Sequence, residues 1–406
     1  MKIIFLNRFF YPDHSATSQL LTDLACYLAG QGMEIHVVTS RQRYDDAAAQ
    51  LPASDLVQGV HVHRVWTSRF GRDWLPGRAV DYLSYYLSVA WCLLRLLEKN
   101  NVVVAKTDPP LISIVAAVVS KLRGARQVNW IQDLFPEVAM ALNVRGMDGW
   151  FGGFLKKWRN SSLRFAKANV VLGERMGECL RSEGVRDNIV VIPNWADGDA
   201  IRPLAHEENA LRKAWGLTDR FVVCYSGNMG RVHEFGTILD AAELLKNEQG
   251  PVFLFIGGGP RRGQVAEEVT ARGLSNVMFQ SYQARERLRE SLGVADVHVV
   301  SLLPSMEGLI VPSKFYGIAA AGRPTLFIGD VNGEVPAVLG AEHCGVALQI
   351  GNSAGLRDAI KTLIDDEAGR IAMGERARCV FERQFDKPVA LIKWRDLLEK
   401  VMNEGR

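Results

Sequence analysis

The sequence contains no apolar run long enough to span a membrane. Its longest uncharged aromatic and aliphatic run, residues 82–94, has 13 residues, whereas a transmembrane helix needs about 20. The first twelve residues also lack the pattern of a signal peptide, because Asn7 and Arg8 interrupt a short apolar stretch. These absences predict a cytoplasmic protein, and they favour a buried or interfacial helix for residues 82–94.

Paired cysteines and a strong excess of one charge are lacking as well. The six cysteines are scattered without any Cys-x-x-Cys pair, which is typical of reduced thiols in a cytosolic protein. The net charge is only +3 over 406 residues, so nothing favours nucleic acid as a partner. Residues 1–195 nevertheless have a net charge of +6 and the remainder −3. We therefore expect the first half to meet any anionic surface or partner.

Several catalytic and metal-binding patterns are absent. There is no Gly-x-Ser-x-Gly elbow and no Ser-His-Asp set. Asp197 and Asp199 have the spacing with which some sugar transferases hold a divalent ion, but their position in a linker favours a turn or helix cap. His61 and His63 share one strand face without a third ligand nearby, which favours exposed histidines. The sequence predicts no metal site.

What the sequence does contain is a repeated alternation of strands and helices. The series begins with a buried strand at residues 2–7, and it restarts at residue 220. Such strand-helix-strand units predict an α/β fold with doubly wound parallel sheets, and the length predicts two domains. We expect domains at 1–195 and 196–385, joined near residues 193–203, and a final helix at 386–406 that packs back on the first domain.

The stretch from Ser305 to Pro324 places a carboxylate, a glycine and a lysine close together. Glu307 and Gly308 follow a predicted strand, and Lys314 falls in the first turn of the next helix. A lysine is unfavourable beside the positive end of a helix dipole, which favours an anionic ligand nearby. The alternative is a solvated lysine over an ordinary helix cap.

Two glycine-rich segments also follow predicted strands. Gly227, Asn228 and Gly230 precede Arg231, and glycines of this kind let backbone N–H groups approach an anion. The alternative is a simple strand-to-helix turn. The second segment contains Gly258, but it lacks the full spacing of a nicotinamide-binding fingerprint.

A basic helix is predicted at residues 153–168. It carries Lys156, Lys157 and Arg159 together with Trp158, a composition that suits an anionic membrane surface. The alternative is a solvated helix face.

In this combination the chain resembles glycosyltransferase family 4, whose members are retaining, nucleotide-sugar-dependent enzymes of the GT-B fold. The resemblance covers nearly the whole chain, and its ordered segments are residues 10–32, 129–142, 191–197, 225–245, 255–260, 295–324 and 333–348. It is greatest to the subgroup that builds bacterial O-antigen, capsule and exopolysaccharide. The resemblance implies two Rossmann-like domains facing a central cleft, with the acceptor on the first and the nucleotide on the second.

The resemblance also implies roles for individual residues. Glu307 would bind hydroxyls of the donor sugar, and the backbone N–H groups of Leu309 and Ile310 would face the sugar and phosphates. The implied donor-binding residues are Gly227, Asn228, Gly230, Arg231, Gly258, Glu307, Gly308, Leu309, Ile310, Ser313, Lys314 and Glu334. The implied acceptor-side residues are His14, Ser15, Ala16 and Thr17. The implied catalytic residues are Glu307, Lys314, Arg231, Asp133 and Asp108.

The chain departs from the family pattern at four places. Ser15 and Ala16 stand where paired glycines are usual in the first loop. Gly317 stands where a ribose-binding glutamate is usual, and Glu334 is the candidate to replace it. Glu234 stands where a phosphate-binding lysine is usual, and Lys314 is the candidate for its charge. No histidine lies in residues 106–111, so Asp108 and Asp133 are the polar substitutes on the acceptor side.

We therefore expect a glycosyltransferase that moves a sugar, fucose-like or N-acetylated, from a nucleoside diphosphate to a lipid-linked saccharide. No metal or other cofactor is expected, and the protein would bind the inner face of the plasma membrane peripherally. Two alternatives stay open: a sugar-nucleotide 2-epimerase of the same fold, and a non-catalytic nucleotide-sugar-binding protein.

Overall fold

The computed structural model describes residues 1–44, 46, 48–70, 75–144, 146–147, 149–246 and 250–404. They form two compact units. The first unit contains Met1–Pro193 together with the chain from Leu391 onward, and the second contains Asn194–Ala390.

The first unit is built on an eight-stranded sheet with the order β3-β4-β2-β1-β5-β6-β7-β8. All neighbouring strands are parallel except β3, which runs antiparallel to β4. Most of the strands are buried along their length, as parallel strands covered by helices on both faces usually are. The strands are β1 Lys2–Leu6, β2 Glu34–Ser40, β3 Ser54–Val57, β4 Val60–Val65, β5 Val102–Lys106, β6 Arg126–Trp130, β7 Ala168–Val171 and β8 Ile189–Val191.

Helices connect these strands, and two of them close one face of the sheet. Val89 and Leu93 of α2 and Ala116 of α3 pack on Ile4 and Val103 in one apolar core. The helices are α1 Ala16–Gly30, α2 Leu75–Leu96, α3 Ile112–Arg123, α4 Glu137–Ala141, α5 Trp150–Phe165 and α6 Glu174–Ser182. Helix α2 contains the whole of residues 82–94, for which the sequence favours a helix.

The second unit has a six-stranded sheet with the order β11-β10-β9-β12-β13-β14, all parallel. The prediction of two doubly wound parallel sheets is thus confirmed. The strands are β9 Val222–Ser226, β10 Val252–Ile256, β11 Val277–Gln280, β12 Val297–Ser301, β13 Thr325–Ile328 and β14 Gly345–Leu348.

The helices of the second unit cover both faces of its sheet. On one face, Ile238 of α8 and Leu356 and Ile360 of α13 pack on Val223 and Phe253. The helices are α7 Ala210–Ala214, α8 Gly236–Leu244, α9 Arg262–Ala271, α10 Leu288–Gly293, α11 Lys314–Ala320, α12 Glu334–Glu342, α13 Ser353–Asp365 and α14 Glu367–Val380.

The final helix, α15 Lys387–Asn403, begins in the second unit and belongs to the first from Leu391 onward. Trp394 is fully buried against Trp130, with 4.7 Å between ring centroids. The guanidinium of Arg126 donates to the carbonyls of Val401 and Met402 at 3.1 and 2.8 Å. Residues 405 and 406 of the predicted helix lie outside the described residues.

The acidic linker has a local structural role. Asp197 Oδ1 accepts the backbone N–H groups of Asp199 and Ala200 at 3.1 and 3.0 Å, and its other oxygen lies 2.5 Å from Lys387 Nζ. This is the turn geometry that the sequence favours for the Asp197–Asp199 pair.

The predicted basic membrane patch at residues 153–168 needs correction. Arg159 is buried and donates to Glu137 and Glu183 at 2.6 and 2.8 Å. Lys156 binds the same two carboxylates at 3.4 and 2.6 Å. These charges neutralise each other inside the unit, so Lys156 and Arg159 are not part of an exposed basic face. None of the described helices is long and apolar enough to cross a bilayer.

Candidate active site

The carboxyl ends of parallel strands meet at one edge of a sheet, where ligands of doubly wound folds bind. In the second unit this edge carries the segments that follow β9, β10, β12 and β13. They contain the two glycine turns, the stretch from Ser305 to Lys314 and the start of α12. The candidate donor-binding residues lie in these segments.

The two glycine turns interlock. Gly227 N donates to Ile256 O at 2.8 Å, and Met229 N donates to Gly258 O at 2.7 Å. Gly259 has φ +124°, and a Cβ there would lie 2.2 Å from Asn228 Oδ1. Only glycine fits this approach, so the turn that contains Gly227, Asn228 and Gly230 has a defined position against the turn after β10.

Lys314 lies on the first of these turns. Lys314 lies in the first turn of helix α11, as predicted, and a Cβ on Gly227 would lie 2.7 Å from Lys314 Cε. Lys314 Nζ donates to Tyr225 Oη at 2.5 Å and to Asn228 O at 3.1 Å, and it lies 4.4 Å from the Tyr225 ring centroid. Desolvation lowers the pKa of Lys314 to about 7. An anion at this site would favour the charged amine.

His233 is a member of this site that sequence reasoning missed. Its Nε2 accepts from Lys314 Nζ at 2.9 Å, and its Nδ1 lies 2.5 Å from Ser301 O. Burial first and the charge of Lys314 second lower the pKa of His233 to about 3, so the ring is neutral. A histidine three residues after Gly230 is the only signal in the sequence, and it does not reveal the partner.

Glu307 follows β12 and is held by the start of α12. Its Oε1 accepts the backbone N–H of Glu334 at 2.8 Å, and a Cβ on Gly333 would lie 2.4 Å from its Oε2. Burial raises the pKa of Glu307, the hydrogen bond from Glu334 N–H opposes this, and the charges of Glu334 and Asp330 add to it. Glu307 and Glu334, both candidate donor ligands, therefore come together in one place.

The expectation for Leu309 and Ile310 is wrong. Their backbone N–H groups donate to Met306 O at 3.0 and 3.2 Å. A tight turn after the 3₁₀ segment Pro304–Met306 binds these donors within the chain, so they do not face a ligand. Gly308, with φ +74°, permits the turn.

The position at which a phosphate-binding lysine is usual has a different function in this chain. Glu234 accepts the backbone N–H of Thr237 with both carboxylate oxygens, at 3.0 and 3.3 Å, and so caps the start of α8. Arg231, three residues earlier, is exposed, as is Ser313.

In the first unit, the predicted acceptor residues also lie at the carboxyl edge of the sheet. Asp108 follows β5 and Asp133 follows the adjacent strand β6. Thr17 Oγ1 lies 3.5 Å from Asp108 Oδ2. The pKa of Asp133 is raised, first by desolvation among its neighbours and second by the charge of Asp108, although solvent reaches this side chain and screens both effects.

Lys106 is a second residue that the sequence did not single out. It is fully buried at the end of β5, where Nζ donates to Thr17 O at 2.8 Å and lies 3.7 Å from the Trp130 ring centroid. Burial lowers its pKa well below the usual range, while Asp108 and Asp23 oppose this. Lys106 thereby fixes the start of α1.

The remaining acceptor-side residues surround the same helix start. Ser15 precedes α1 and its N–H donates to Asp13 at 2.8 Å. His14 and Ala16 are exposed. Among the described residues, no group of three or more His, Cys, Asp or Glu side chains is arranged to hold a metal ion.

Both halves of the chain match known sequence families. Residues 17–195 match the glycosyl transferase 4-like domain, and residues 207–380 match glycosyl transferases group 1. The chain belongs to the glycosyltransferases that carry these two domains. Its two Rossmann-like units form the GT-B fold, as the resemblance implies.

Individual relatives agree with this assignment. The probable glycosyltransferase WbjE of Pseudomonas aeruginosa is 25% identical over 81% of this chain and 82% of its own length. A putative colanic acid biosynthesis glycosyl transferase, WcaI of Escherichia coli K12, is 23% identical over 82% of this chain and 85% of its own.

Solved structures share the fold. Sucrose-phosphate synthase from Thermosynechococcus elongatus has a TM-score of 0.78 at 15% identity, with 100% of both chains covered. Anabaena HepE, solved in complex with UDP-glucose, has a TM-score of 0.73 at 17% identity, covering 98% of this chain and 100% of its own.

Proposed function

We propose that this glycosyltransferase moves a sugar, fucose-like or N-acetylated, from a nucleoside diphosphate to a lipid-linked saccharide in bacterial cell-surface polysaccharide synthesis. The observation that carries the proposal is one edge of the second unit, where Lys314 lies on the Gly227 turn and Glu307 is held at the start of α12. The relative named for colanic acid biosynthesis supports the biological setting.

The donor binds through positively charged side chains at its diphosphate and through carboxylates at its sugar and ribose. Backbone around Gly227 and Gly230 approaches the diphosphate, and the charges of Lys314 and Arg231 offset its negative charge. The cap on α12 orients the carboxylate of Glu307, which accepts hydrogen bonds from sugar hydroxyls. Glu334 binds the ribose hydroxyls in place of the usual family glutamate.

The acceptor binds at the carboxyl edge of the first unit, beside Asp108 and Asp133. In the transfer, the bond between the anomeric carbon and the diphosphate oxygen breaks, and a bond to the acceptor oxygen forms on the same face. The acceptor proton passes to the departing diphosphate oxygen. The anomeric configuration is retained, and Lys314 and Arg231 supply the positive charge without a metal ion.

The protein acts at the inner face of the plasma membrane, and the surface that meets the lipid is broader than the basic segment. Helices α2, α3 and α5 are neighbours in the first unit, and each exposes apolar side chains. The exposed apolar residues of these helices are Val80, Leu83, Leu87, Trp91, Leu94, Val118, Leu122, Trp150, Phe151, Phe154, Trp158 and Phe165.

Charge supports an anionic bilayer as the partner of these helices. The only acidic residue in the three helices is Asp81, which is buried and accepts from Ser68 Oγ at 2.6 Å. The exposed basic residues are Arg78, Arg95, Lys121, Arg123, Lys157 and Arg164. Exposed apolar and aromatic side chains together with exposed cations, on helices without exposed carboxylates, suit the interface of an anionic membrane.

The test is a transfer assay. The purified protein is screened for binding to UDP, GDP and ADP by thermal shift, and the sugars of the nucleotide that binds are then incubated with a polyprenyl diphosphate carrying one sugar. Transfer of the second sugar is expected. Conversion of the donor at C2 without acceptor would instead indicate an epimerase, and donor binding with neither transfer nor slow donor hydrolysis would indicate a non-catalytic protein.

A further inference from the structure

The ammonium group of Lys314 has three hydrogen-bond acceptors around it. They are Tyr225 Oη at 2.5 Å, Asn228 O at 3.1 Å and His233 Nε2 at 2.9 Å. An ammonium has three N–H donors, so these contacts match its full capacity. The side chain is therefore held in one orientation before any ligand arrives.

His233 can act as an acceptor because its other nitrogen has a fixed role. Nδ1 lies 2.5 Å from the carbonyl oxygen of Ser301, and a carbonyl oxygen only accepts. Nδ1 therefore carries the proton, which leaves the lone pair of Nε2 directed at Lys314. The ring is also packed against Tyr225 and Phe235, with centroid distances of 5.9 and 6.5 Å.

We propose that His233 is a positioning residue whose Nε2 aims Lys314 at the bound diphosphate, while the hydrogen bond of His233 Nδ1 with Ser301 O fixes the tautomer. This proposal rests on the proposed function, in which Lys314 meets the donor diphosphate. When the anion binds, a phosphate oxygen takes the place of one of these acceptors. Because the side chain of Lys314 is already ordered, binding does not have to order it. The conformational cost of binding is thereby lowered.

Two substitutions separate the two ends of the imidazole. His233→Gln can still offer an acceptor to Lys314, whereas His233→Asn can still donate to Ser301 O but does not reach Lys314. Affinity is measured by calorimetry with whichever of UDP, GDP and ADP binds the wild type most tightly. We expect His233→Asn to weaken binding about tenfold and His233→Gln less than threefold, with unchanged binding of the corresponding nucleoside.

A double-mutant cycle tests whether His233 acts through Lys314. In a Lys314→Ala background, His233→Asn should cause no further loss of diphosphate affinity, because the group it positions is gone. Independent, additive losses would overturn the proposal. So would equal losses in His233→Gln and His233→Asn, since they would indicate a packing role.

Two measurements without a ligand keep this inference distinct from the proposed function. Nitrogen-15 NMR of the wild type should show His233 as the neutral Nδ1–H tautomer at pH 6; an Nε2–H or doubly protonated ring would overturn the proposal. The pKa of Lys314, measured by NMR on lysine carbon-13-labelled at Cε, which leaves the three N–H donors in place, should fall further in His233→Asn than in His233→Gln. If these results hold while no diphosphate binds, the proposed function fails and the assigned target of Lys314 fails with it, whereas the contact between the two side chains stands.

Discussion

The carboxylate of Glu307 caps the helix that begins with Glu334, accepting its backbone N–H at 2.8 Å. One side chain thus serves the local structure and, in our proposal, the donor sugar. An acid that is oriented by a helix start needs no further ordering when the sugar binds, which is how a preorganised site stabilises a transition state.

Glu307→Gln separates these two roles. The amide oxygen can still accept from Glu334 N–H, so the melting temperature should change little, whereas loss of the carboxylate should lower turnover on the order of 10²-fold. Glu307→Ala should lose the cap as well and destabilise the protein by about 1 kcal/mol. Thermal unfolding and donor turnover are measured on both variants. Near-normal turnover in Glu307→Gln would remove Glu307 from the site.

Binding of the diphosphate should be coupled to proton uptake above neutral pH. The pKa of Lys314 is lowered to about 7 by desolvation, so the amine of the free protein is increasingly neutral as the pH rises above 7. A bound anion favours the charged form and raises this pKa. Calorimetry at pH 8 in buffers of different ionisation enthalpy should show uptake approaching one proton.

The Lys314→Met variant is the control for this measurement. It should bind the same nucleotide more weakly and take up no proton between pH 7 and pH 9. Equal proton uptake by Lys314→Met and the wild type would assign the titration to another group.

Transfer should proceed without a divalent ion and with retention at the anomeric carbon. In our proposal Lys314 and Arg231 offset the charge of the departing diphosphate, and each such fixed charge is commonly worth about 10²–10³ in rate. Turnover is measured in excess chelator, and the product configuration is read by proton NMR. Activity that is lost in chelator and restored by magnesium or manganese would contradict the metal-free route, and an inverted product would contradict retention.

Membrane binding should depend on the exposed apolar side chains of α2. Leu87→Asp and Trp91→Asp place charges where we expect lipid contact, and since both positions are exposed, folding should be little affected. Binding to anionic vesicles is measured by co-sedimentation. Ile371→Asp, at an exposed position of the second unit, is the matched control and should bind like the wild type.

The basic residues around these helices give a second test of the same surface. Lys157→Glu and Arg164→Glu should reduce binding to anionic vesicles, and added salt should weaken wild-type binding because the attraction is screened. Lys361→Glu, exposed on α13, should have no effect. Unchanged vesicle binding by both the α2 and the α5 variants would refute the proposal that these helices bind the membrane.

Two histidines of the first unit, His36 and His63, should make its stability depend on pH. His36 Nδ1 lies 2.9 Å from His63 Nε2, and the rings of His36 and His61 stack at 4.9 Å. Desolvation is the first cause that lowers the pKa of both His36 and His63, while Glu34 opposes this at His36. The unfolded chain therefore binds more protons below about pH 6.5, and the free energy of unfolding should fall as the pH is lowered from that value.

Urea unfolding at pH 7.5, 6.5 and 5.5 measures this effect. The double substitution His36→Gln and His63→Gln should flatten the dependence on pH, whereas His14→Gln, at an exposed position, should leave it unchanged. An equally steep dependence in the double variant would place the titrating groups elsewhere.

The sequence predicts the sheets and the segments at their edges because these follow from local patterns. Alternating buried strands and helices favour parallel order, and Lys314 falls in the first turn of α11 as the sequence predicts. Side-chain partners are a different matter. His233 meets Lys314 from 81 residues away, and Arg159 is drawn inward by Glu137 and Glu183. No local pattern of residue types encodes such distant pairings.

The expectation for Leu309 and Ile310 was wrong for a related reason. A resemblance transfers residue positions, but the direction of each N–H depends on the turn that this chain adopts, and here Met306 O accepts both. The roles of Glu307, Lys314, Asp108 and Asp133 remain predictions until donor and acceptor are bound.

The passage of α15 from one unit to the other has a consequence for how the protein is made. Trp130, at the end of β6, is buried against Trp394, yet the ribosome delivers Trp394 only after the whole of the second unit. During synthesis, Trp130 therefore lacks this contact until α15 has been made. The packing of the first unit can be completed only after the second unit has been synthesised, because α15 is the last helix of the chain.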